Sequence, residues 1–367
     1  NNVQAGNAGN YQLVVLNSYG AITGAVTSLR VYAGPLTSNL VVHLTFDGNM
    51  TDTSGRGNNA TYAFNGANYH PTARFVPGIL GQAFEYTTTN DGSDIEYATL
   101  GYPADLQFGA TNDWSISIWV NYTNQGDDLP FVCNKDWESS DNLGWGVFSQ
   151  SGGNYRINAT GPNGSLDKFN ATDTPTTLKD GHWHNIVVSY QHAPFGESAF
   201  IYGYLDGALA TKHPMSLAGT VDTFGTPFEN SQGPGGTELP NNQEFWAVNI
   251  GQDGTGLYTD RGGVHDIDAK IDDVGIWRRA LTANEASGIY ASGLAGKDLS
   301  QAFTPSILVI TPSGKNIQLN WVASPTLQLQ TSPSLSPATW TDVPGTLGAG
   351  SATIPVSGTQ AYFRLSN

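Results

Sequence analysis

The 367-residue chain reads as all-β, and three observations predict it. Charged residues are only 13% of the sequence and aromatics 11%, and 44 Gly and 19 Pro punctuate it, a profile of short strands joined by turns. Apolar residues alternate over strand-length runs, as in Trp114-Ser-Ile-Ser-Ile-Trp-Val. Helical signals gather in one short segment, where Thr282 is followed three positions later by Glu285, a capping-box pair, and the helix reads to Ala291 before stopping at Gly293.

Composition also narrows function. The 31 acidic against 15 basic residues give a formal net charge of −16, which repels phosphate backbones and anionic lipid surfaces and favours divalent cations. Nucleic acid is thereby excluded as a partner, and membrane insertion is not expected, because no run of 18 apolar residues occurs. The single cysteine, Cys133, rules out an intrachain disulfide and reads as a buried thiol. Six Asn-x-Ser/Thr sequons begin at Asn49, Asn59, Asn121, Asn158, Asn163 and Asn170, as expected of a chain rich in these residues.

Taken in order, the first strands are 11–17 and 25–31, joined by a turn at Ser18-Tyr19-Gly20. The segment Asn7-Ala-Gly-Asn-Tyr-Gln-Leu-Val-Val-Leu-Asn-Ser-Tyr-Gly resembles the last two strands of an immunoglobulin-like repeat, with Tyr11 at the tyrosine-corner position and Leu13 where disulfide-bonded members carry Cys. The earlier strands of such a repeat are missing, so residues 1–34 are expected as a partial hairpin that packs on a neighbour or adds to a strand of another copy. The abrupt start suggests a mature or cleaved piece of a longer secreted protein.

The main body, residues 35–300, carries strands at 40–46, 83–86, 114–122, 131–134, 144–149, 155–159, 184–190, 200–205 and 245–250. Their number and spacing imply a sandwich or jelly roll. Two long polar stretches, 49–75 and 225–242, read as functional or mobile loops. Residues 301–367 form a separate small β module with strands at 317–322 and 327–331. Its Leu327-Gln-Leu-Gln-Thr-Ser-Pro-Ser-Leu, Trp340-Thr-Asp-Val-Pro and Tyr362-Phe-Arg-Leu resemble the C-terminal module of large secreted bacterial proteins.

The segment Ala269-Lys-Ile-Asp-Asp-Val-Gly-Ile-Trp sets two carboxylates into an apolar strand. A buried ionised Asp is costly without a cation or several donors, so Asp272 and Asp273 are metal-ligand candidates. Simple alternation puts Asp272 with Val274 and Ile276 and places Asp273 with Ile271 on the other face, leaving Asp272 to reach a metal. Near the start of the body, Asp47, Asn49, Asp52 and Ser54 are the hard oxygen donors that Ca²⁺ takes. The competing reading is a polar turn in which these side chains bond their own backbone.

Several motifs in order resemble the laminin-G-like, concanavalin A-like lectin/glucanase superfamily across about 250 residues. They are Leu44-Thr-Phe-Asp-Gly-Asn-Met-Thr-Asp-Thr-Ser-Gly-Arg-Gly-Asn, the Trp114 strand, Asn134-Lys-Asp-Trp, Gly181-His-Trp-His-Asn-Ile-Val-Val-Ser-Tyr, Tyr204-Leu-Asp-Gly, Asn249-Ile-Gly-Gln-Asp-Gly-Thr-Gly and Lys270-Ile-Asp-Asp-Val-Gly-Ile-Trp. The resemblance implies a concanavalin A-like jelly-roll sandwich, flanked here by the N-terminal β hairpin and the small C-terminal β domain. It also implies a structural Ca²⁺ where the Phe46-Asp-Gly-Asn loop meets the Ile-Asp-Asp-Val strand, with Asp47, Asn49, Asp52 and Asp272 as ligands.

A second constellation combines Asp136, Trp137, Glu138, Asp141 and Trp145 with Asp253 and Tyr258. If these loops converge, rings and carboxylates suit a sugar, whose C–H faces stack on aromatics and whose hydroxyls bond acids. Alternatively the tryptophans belong to the core. Glycosidases share the implied fold, and the alternation Asp266-Ile-Asp-Ala-Lys puts Asp266, Asp268 and Lys270 on one face, yet both acids are Asp and the two Glu of a catalytic strand are missing. His182 and His184 flank Trp183 at a spacing that could hold Zn²⁺, but no third ligand lies near in sequence, and the resemblance makes this Trp-His part of the fold.

The expectation is a secreted or cell-surface, calcium-stabilised binding module for extracellular polysaccharide or glycoprotein, with no catalytic residues. The alternatives are an adhesive protein that assembles through its N-terminal strands and, further off, a glycoside hydrolase.

Overall fold

A computed structural model describes residues 9–17, 20–29, 35–106, 108, 112–123, 128–137, 144–150, 152–160, 168–173, 178–192, 199–214, 246–259, 267–301, 309–313, 316–321, 328–334, 339–355 and 361–366. The chain divides into two units, Leu36–Phe303 and a second that joins Asn1–Pro35 to Thr304–Asn367. No helix among the described residues is long and apolar enough to cross a membrane.

In the second unit, β1 (Gly9–Asn17) and β2 (Gly20–Leu29) form an antiparallel two-stranded sheet. The hairpin stands where the alternation placed it, with its second strand beginning five residues earlier than position 25. In the larger unit come β3 (Leu40–Leu44), β4 (Thr61–Gly66), β5 (Arg74–Pro77), β6 (Gln82–Thr88), β7 (Asp94–Gly101) and β8 (Trp114–Tyr122). They are followed by β9 (Pro130–Cys133), β10 (Gly144–Ser149), β11 (Tyr155–Thr160), β12 (Lys168–Asp173) and β13 (His184–Gln191). Then come β14 (Phe200–Leu205), β15 (Ala208–Pro214), β16 (Val248–Ile250), β17 (Ile267–Trp277) and the helix α1 (Ala283–Leu294). Toward the C-terminus, β18 (Val309–Ser313), β19 (Asn316–Asn320) and β22 (Ser351–Pro355) make one three-stranded sheet. A second consists of β20 (Gln328–Ser332), β21 (Thr341–Asp342) and β23 (Tyr362–Ser366), and Leu319, Trp321 and Leu329 form the buried cluster of this region.

The larger unit is one curled antiparallel sheet, in the path β12-β11-β10-β9-β16-β7-β6-β17-β8-β13-β14-β15, with β3 on β17, β4 on β7 and β5 on β6. The all-β expectation holds, and the curl is that of a jelly roll. Its interior is filled by rows of alternate residues such as Ile116, Ile118 and Val120 from β8 and Ile186 and Val188 from β13. The stretch 49–75, read as one polar loop, contains all of β4, and the stretch 225–242 lies outside the described residues.

Strands β8 and β13, and β17 from Ile271 on, are buried on both faces because the chain after β17 and the residues leading into β3 cover the outer side. There Leu36, Leu40, Val187, Tyr204, Trp277, Leu281, Ala286, Ile289 and Leu299 make a second apolar cluster. The helix starts at the capping box read from the sequence: the Glu285 N–H donates to Thr282 Oγ1 at 3.2 Å, and the Thr282 N–H donates to Glu285 Oε2 at 2.9 Å. It runs three residues past Ala291, and Gly293 lies against Trp119 so closely that a Cβ would collide with the indole. Glu285 also meets Arg279 at 2.6 Å in a buried ion pair, while the Arg279 guanidinium donates to the carbonyls of Ser38 and Leu36. One buried arginine thus ties the helix start to the beginning of the unit.

Strand β17 departs from simple alternation at its two acids. Asp272 pairs with Trp119 and Gly275 with Ser117, so two residues, Asp273 and Val274, oppose Ile118 alone: a β-bulge, with Asp273 at φ 44°. The core-facing residues are Ile267, Ala269 and Ile271 before it, and Val274 and Ile276 after it. The expected grouping of Asp272 with Val274 and of Asp273 with Ile271 is therefore wrong, because the extra residue shifts the parity and turns both carboxylates away from the main core. Asp273 is met by His43 of β3, whose Nε2 lies 2.7 Å from Asp273 Oδ1 and whose Nδ1 lies 2.7 Å from Thr53 Oγ1. Burial pushes the Asp273 carboxyl up, and the His43 contact works against that.

The motif around Trp183 is structural. His184 Nδ1 lies 2.8 Å from Asp206 Oδ2 and its Nε2 3.3 Å from Asp180 Oδ1, while His182 is exposed. The Asp206 hydrogen bond raises the His184 pKa, against burial, with Asp180 adding to it. A histidine whose folded-state pKa is raised stabilises the fold fully below its unfolded value of about 6.5 and loses that contribution as pH rises through the folded value. Urea-unfolding midpoints should therefore fall between pH 5.5 and 8.5 by more in the wild type than in Asp206→Asn. Replacing Asp273 with Ala leaves His43 buried without its partner and should cost about 3 kcal/mol in the same assay.

Candidate functional site

The first candidate site lies where the loop after β3 and the bulge of β17 meet the β5–β6 turn. Pro77 pairs with Gln82, and the turn between them closes with the Gly78 N–H on the Gly81 carbonyl at 3.0 Å. Two carboxylates far apart in sequence each take a further N–H group of this segment. The Leu80 N–H donates to Asp272 Oδ2 at 2.9 Å, and the Gln82 N–H to Asp47 Oδ1 at 2.7 Å. A Cβ on Gly78 would run into Asp272 and one on Gly81 into Asp47, so glycine at both positions is what lets the carboxylates close on the turn.

Asp272 is fully buried, and its Oδ1 has no hydrogen-bond partner. Burial pushes its pKa up to about 8, with Asp273 and Asp47 adding to the rise and the Leu80 N–H opposing it. An orphaned buried carboxylate oxygen and a second, exposed carboxylate felt across the turn are hard oxygen donors of the kind that Ca²⁺ takes.

The other two sequence-derived ligands are engaged in the loop itself. Both oxygens of Asp52 are taken: Oδ1 accepts from the His43 and Ser54 N–H groups, and Oδ2 from Ser54 Oγ and the Asn58 N–H, at 2.8 to 2.9 Å. Asn49 accepts from the Thr51 N–H and donates to the Asp47 carbonyl, at 2.8 and 3.0 Å. For Asn49 and Asp52 the polar-turn reading describes the structure, because short Asx side chains satisfy the backbone beside them first.

In the second constellation the loops do converge. The Gly254 N–H donates to the Lys135 carbonyl at 2.8 Å and the Trp137 N–H to Asp253 Oδ2 at 3.0 Å. Yet the convergence is a buried junction. Trp145 and Tyr258 belong to the main core, Asp136 is 5% exposed and Asp253 fully buried. Asp253 Oδ1 accepts from the Thr255 N–H, Thr255 Oγ1 and the Gly256 N–H. Burial still lifts its pKa to about 6 against these bonds. Trp137 lies with one face on Phe148, ring centroids 3.9 Å apart, and Lys135 Nζ 5.7 Å from its ring. Of the two readings, open groove or core, the core reading describes Trp145, Tyr258, Asp136 and Asp253, while Trp137 is partly buried against the core. Glu138 and Asp141 lie outside the described residues.

The exposed rings are elsewhere. Phe64 on β4 is 42% exposed and Tyr69 36%, and they stack at 3.8 Å and 15°. Tyr62, two residues before Phe64, lies 5.7 Å from it and donates from its hydroxyl to the His70 carbonyl at 2.7 Å. Phe64 pairs with Glu96 across β4 and β7, so a polar group shares the face of the rings. Sequence reading missed this pair because it treated 49–75 as loop; the β-forming run Thr61-Tyr-Ala-Phe before Asn65-Gly66 was the available signal.

Of the alternation considered for catalysis, Asp268 accepts from Thr87 Oγ1 at 2.7 Å and Lys270 stands opposite Glu85, while Asp266 is outside the described residues. Cys133 is buried, and burial pushes its thiol pKa up.

Residues 91–287, more than half of the chain, match the family model of the concanavalin A-like lectin/glucanases superfamily. The chain belongs to that superfamily. No curated protein matches the sequence. Similar solved structures include the binding domain of Paraclostridial Mosquitocidal Protein 1, at 14% identity and a TM-score of 0.48 over 90% of this chain and 76% of that one. Another is the binding domain of botulinum neurotoxin DC in complex with rat synaptotagmin II, at 14% identity and a TM-score of 0.46 over 78% and 63%. A third is a chain of botulinum neurotoxin type C, whose cell entry depends on interaction with two ganglioside molecules, at 12% and 0.46 over 80% and 57%. The chain spans less than two thirds of the length of the last two.

Replacing Gly81 with Ala should destabilise the fold by about 2 kcal/mol, since φ is +59° there and the methyl would displace Asp47. Thermal melts of Gly81→Ala beside Gly57→Ala, which has positive φ in open space, separate the two contributions.

Proposed function

We propose that the protein is an extracellular, calcium-stabilised, lectin-like binding module that takes a neutral polysaccharide or the glycan of a glycoprotein. The observation that carries the calcium half is the orphaned Asp272 Oδ1, buried beneath the β5–β6 turn beside Asp47. Asp47 and Asp272, with backbone carbonyls of the neighbouring turns, would hold the ion. It would supply the positive charge that these carboxylates lack and fix the first strand of the unit to its central one.

The ligand half is supported by membership of the superfamily together with the exposed Phe64–Tyr69 stack and its polar flank. Rings accept the C–H face of a pyranose. The net charge of −16 favours a neutral sugar over an acidic one. The role assigned is binding, since the acid pair considered for hydrolysis has no Glu and Asp268 is hydrogen-bonded to Thr87.

An assembly role has one observation in its favour. Among the described residues, β1 and β2 form a sheet of two strands, whose outer edges can accept a strand from another copy. Light scattering of the full chain against one lacking residues 1–34 tests it, and the same mass per particle for both rules it out.

Calcium should raise the melting temperature of the chelator-stripped chain, by about 2.7 kcal/mol of stability at a hundredfold excess over Kd. Asp272→Asn should fold and lose that response; an equal calcium response in the variant would sink the assignment. In affinity electrophoresis through neutral polysaccharides, Phe64→Ala and Tyr69→Ala should each weaken retention several-fold, about 1 kcal/mol per ring contact. Retention equal to wild type in both would place the ligand elsewhere.

A further inference from the structure

Behind the exposed rings lies a cluster of charged groups that the calcium site does not include. Glu96, fully buried, accepts from the His70 N–H at 2.7 Å and from Arg74 at 2.8 Å on its other oxygen, and its Oε1 lies 2.6 Å from His70 Nδ1. Arg74 is shared with Glu85 at 2.7 Å, and it also feels Asp268. Asp94 is 8% exposed, and its Oδ1 has no hydrogen-bond partner. The bonds from Arg74 and His70 hold Glu96 below the usual carboxylate range although burial works against them, whereas Asp94 is raised, first by burial and then by Glu96.

Four carboxylates, Glu85, Asp94, Glu96 and Asp268, thus face Arg74 and, opposite Glu85 on β17, Lys270. Negative charge is left in excess around a carboxylate oxygen that nothing satisfies. One ring nitrogen of His70 and one oxygen each of Asp94 and Glu96 lie within 4.8 Å of one another. Donors around a tetrahedral ion with bonds of about 2.0 to 2.2 Å sit roughly 3.4 Å apart, so the gap closes with small side-chain rotations. His70 is 49% exposed, which opens a path for the ion and leaves room for water on it.

We propose that His70, Asp94 and Glu96 bind a borderline divalent transition-metal ion of the Zn²⁺ class, at a site separate from the calcium site of Asp47 and Asp272. The donor set decides the class. One imidazole with two carboxylates suits Zn²⁺ or Co²⁺, whereas Ca²⁺ takes oxygens only. Asp94 Oδ1 gains the partner it lacks, and the His70–Glu96 contact opens to admit the ion while Arg74 keeps Glu96 oriented from its other oxygen, as an outer partner does around a metal ligand.

The test uses the full chain, stripped by chelator and held in saturating Ca²⁺ so that the oxygen site is filled. Calorimetric titration with Zn²⁺ should give one additional ion per chain, and Co²⁺ should give a visible d–d absorption band. Asp94→Asn and His70→Gln should each weaken Zn²⁺ binding about tenfold or more and abolish the Co²⁺ band. Asp47→Asn should leave both readouts as in the wild type, which separates this site from the calcium proposal. His70 is at the surface, so His70→Gln tests binding without putting the fold at risk. No binding of Zn²⁺ or Co²⁺ by the wild type, or binding that His70→Gln leaves unchanged, would overturn the proposal and make the cluster an ion-pair network only.

Discussion

The larger unit depends on one irregularity, the bulge in β17. That strand bonds to β6, β8 and β3, and its core residues change parity across Asp272 and Asp273. Without the extra residue one of the two carboxylates would point into the main core, where an ionised group is held only at high cost. With it, both leave the apolar interior on the same side. One is met by His43, the other by the Leu80 N–H of a glycine turn, and apolar packing continues on either side of them. Bulges bend strands and re-aim side chains, and here the re-aiming brings the first and last strands of the unit into polar contact.

That geometry explains which parts of the molecule could be read from the amino acids alone. β8, β10 and β14 occupy the expected positions to the residue, because in each a regular strand carries regular alternation. The capping box of α1 was equally legible, being local chemistry between Thr282 and Glu285. The faces of Asp272 and Asp273 were not, since a bulge is specified by the partner strand's register and leaves no mark in a period-two pattern.

The candidate sites divide along the same line. Asp47 and Asp272 come together as their oxygen chemistry suggested, but Asn49 and Asp52 are consumed by their own loop, a competition that spacing does not rank. Trp145 was open to a groove or a core reading and lies in the core, as indole size favours, whereas Asp253 is buried beside it against the usual exposure of a carboxylate. Phe64 and Tyr69 were hidden in the opposite sense: polar flanking residues masked the strand that carries Phe64, on whose exposed ring Tyr69 stacks. Among the described residues of β17, local preference and global packing conflict at the two carboxylates, the kind of place where function is expected to break the rules.

The far end of the sheet path carries a different message. β15 is the last strand beyond β14, and its outer backbone edge is a potential template for another chain. It ends in Lys212-His213-Pro214, with the Lys212 ammonium 4.4 Å from the Phe200 ring centroid and 5.5 Å from that of Tyr202. A cation lying over the neighbouring rings keeps apolar surface from being offered to a second molecule, and the proline withholds a backbone donor where an incoming strand would begin to zip. This border of the sheet therefore carries two features that discourage edge-to-edge pairing.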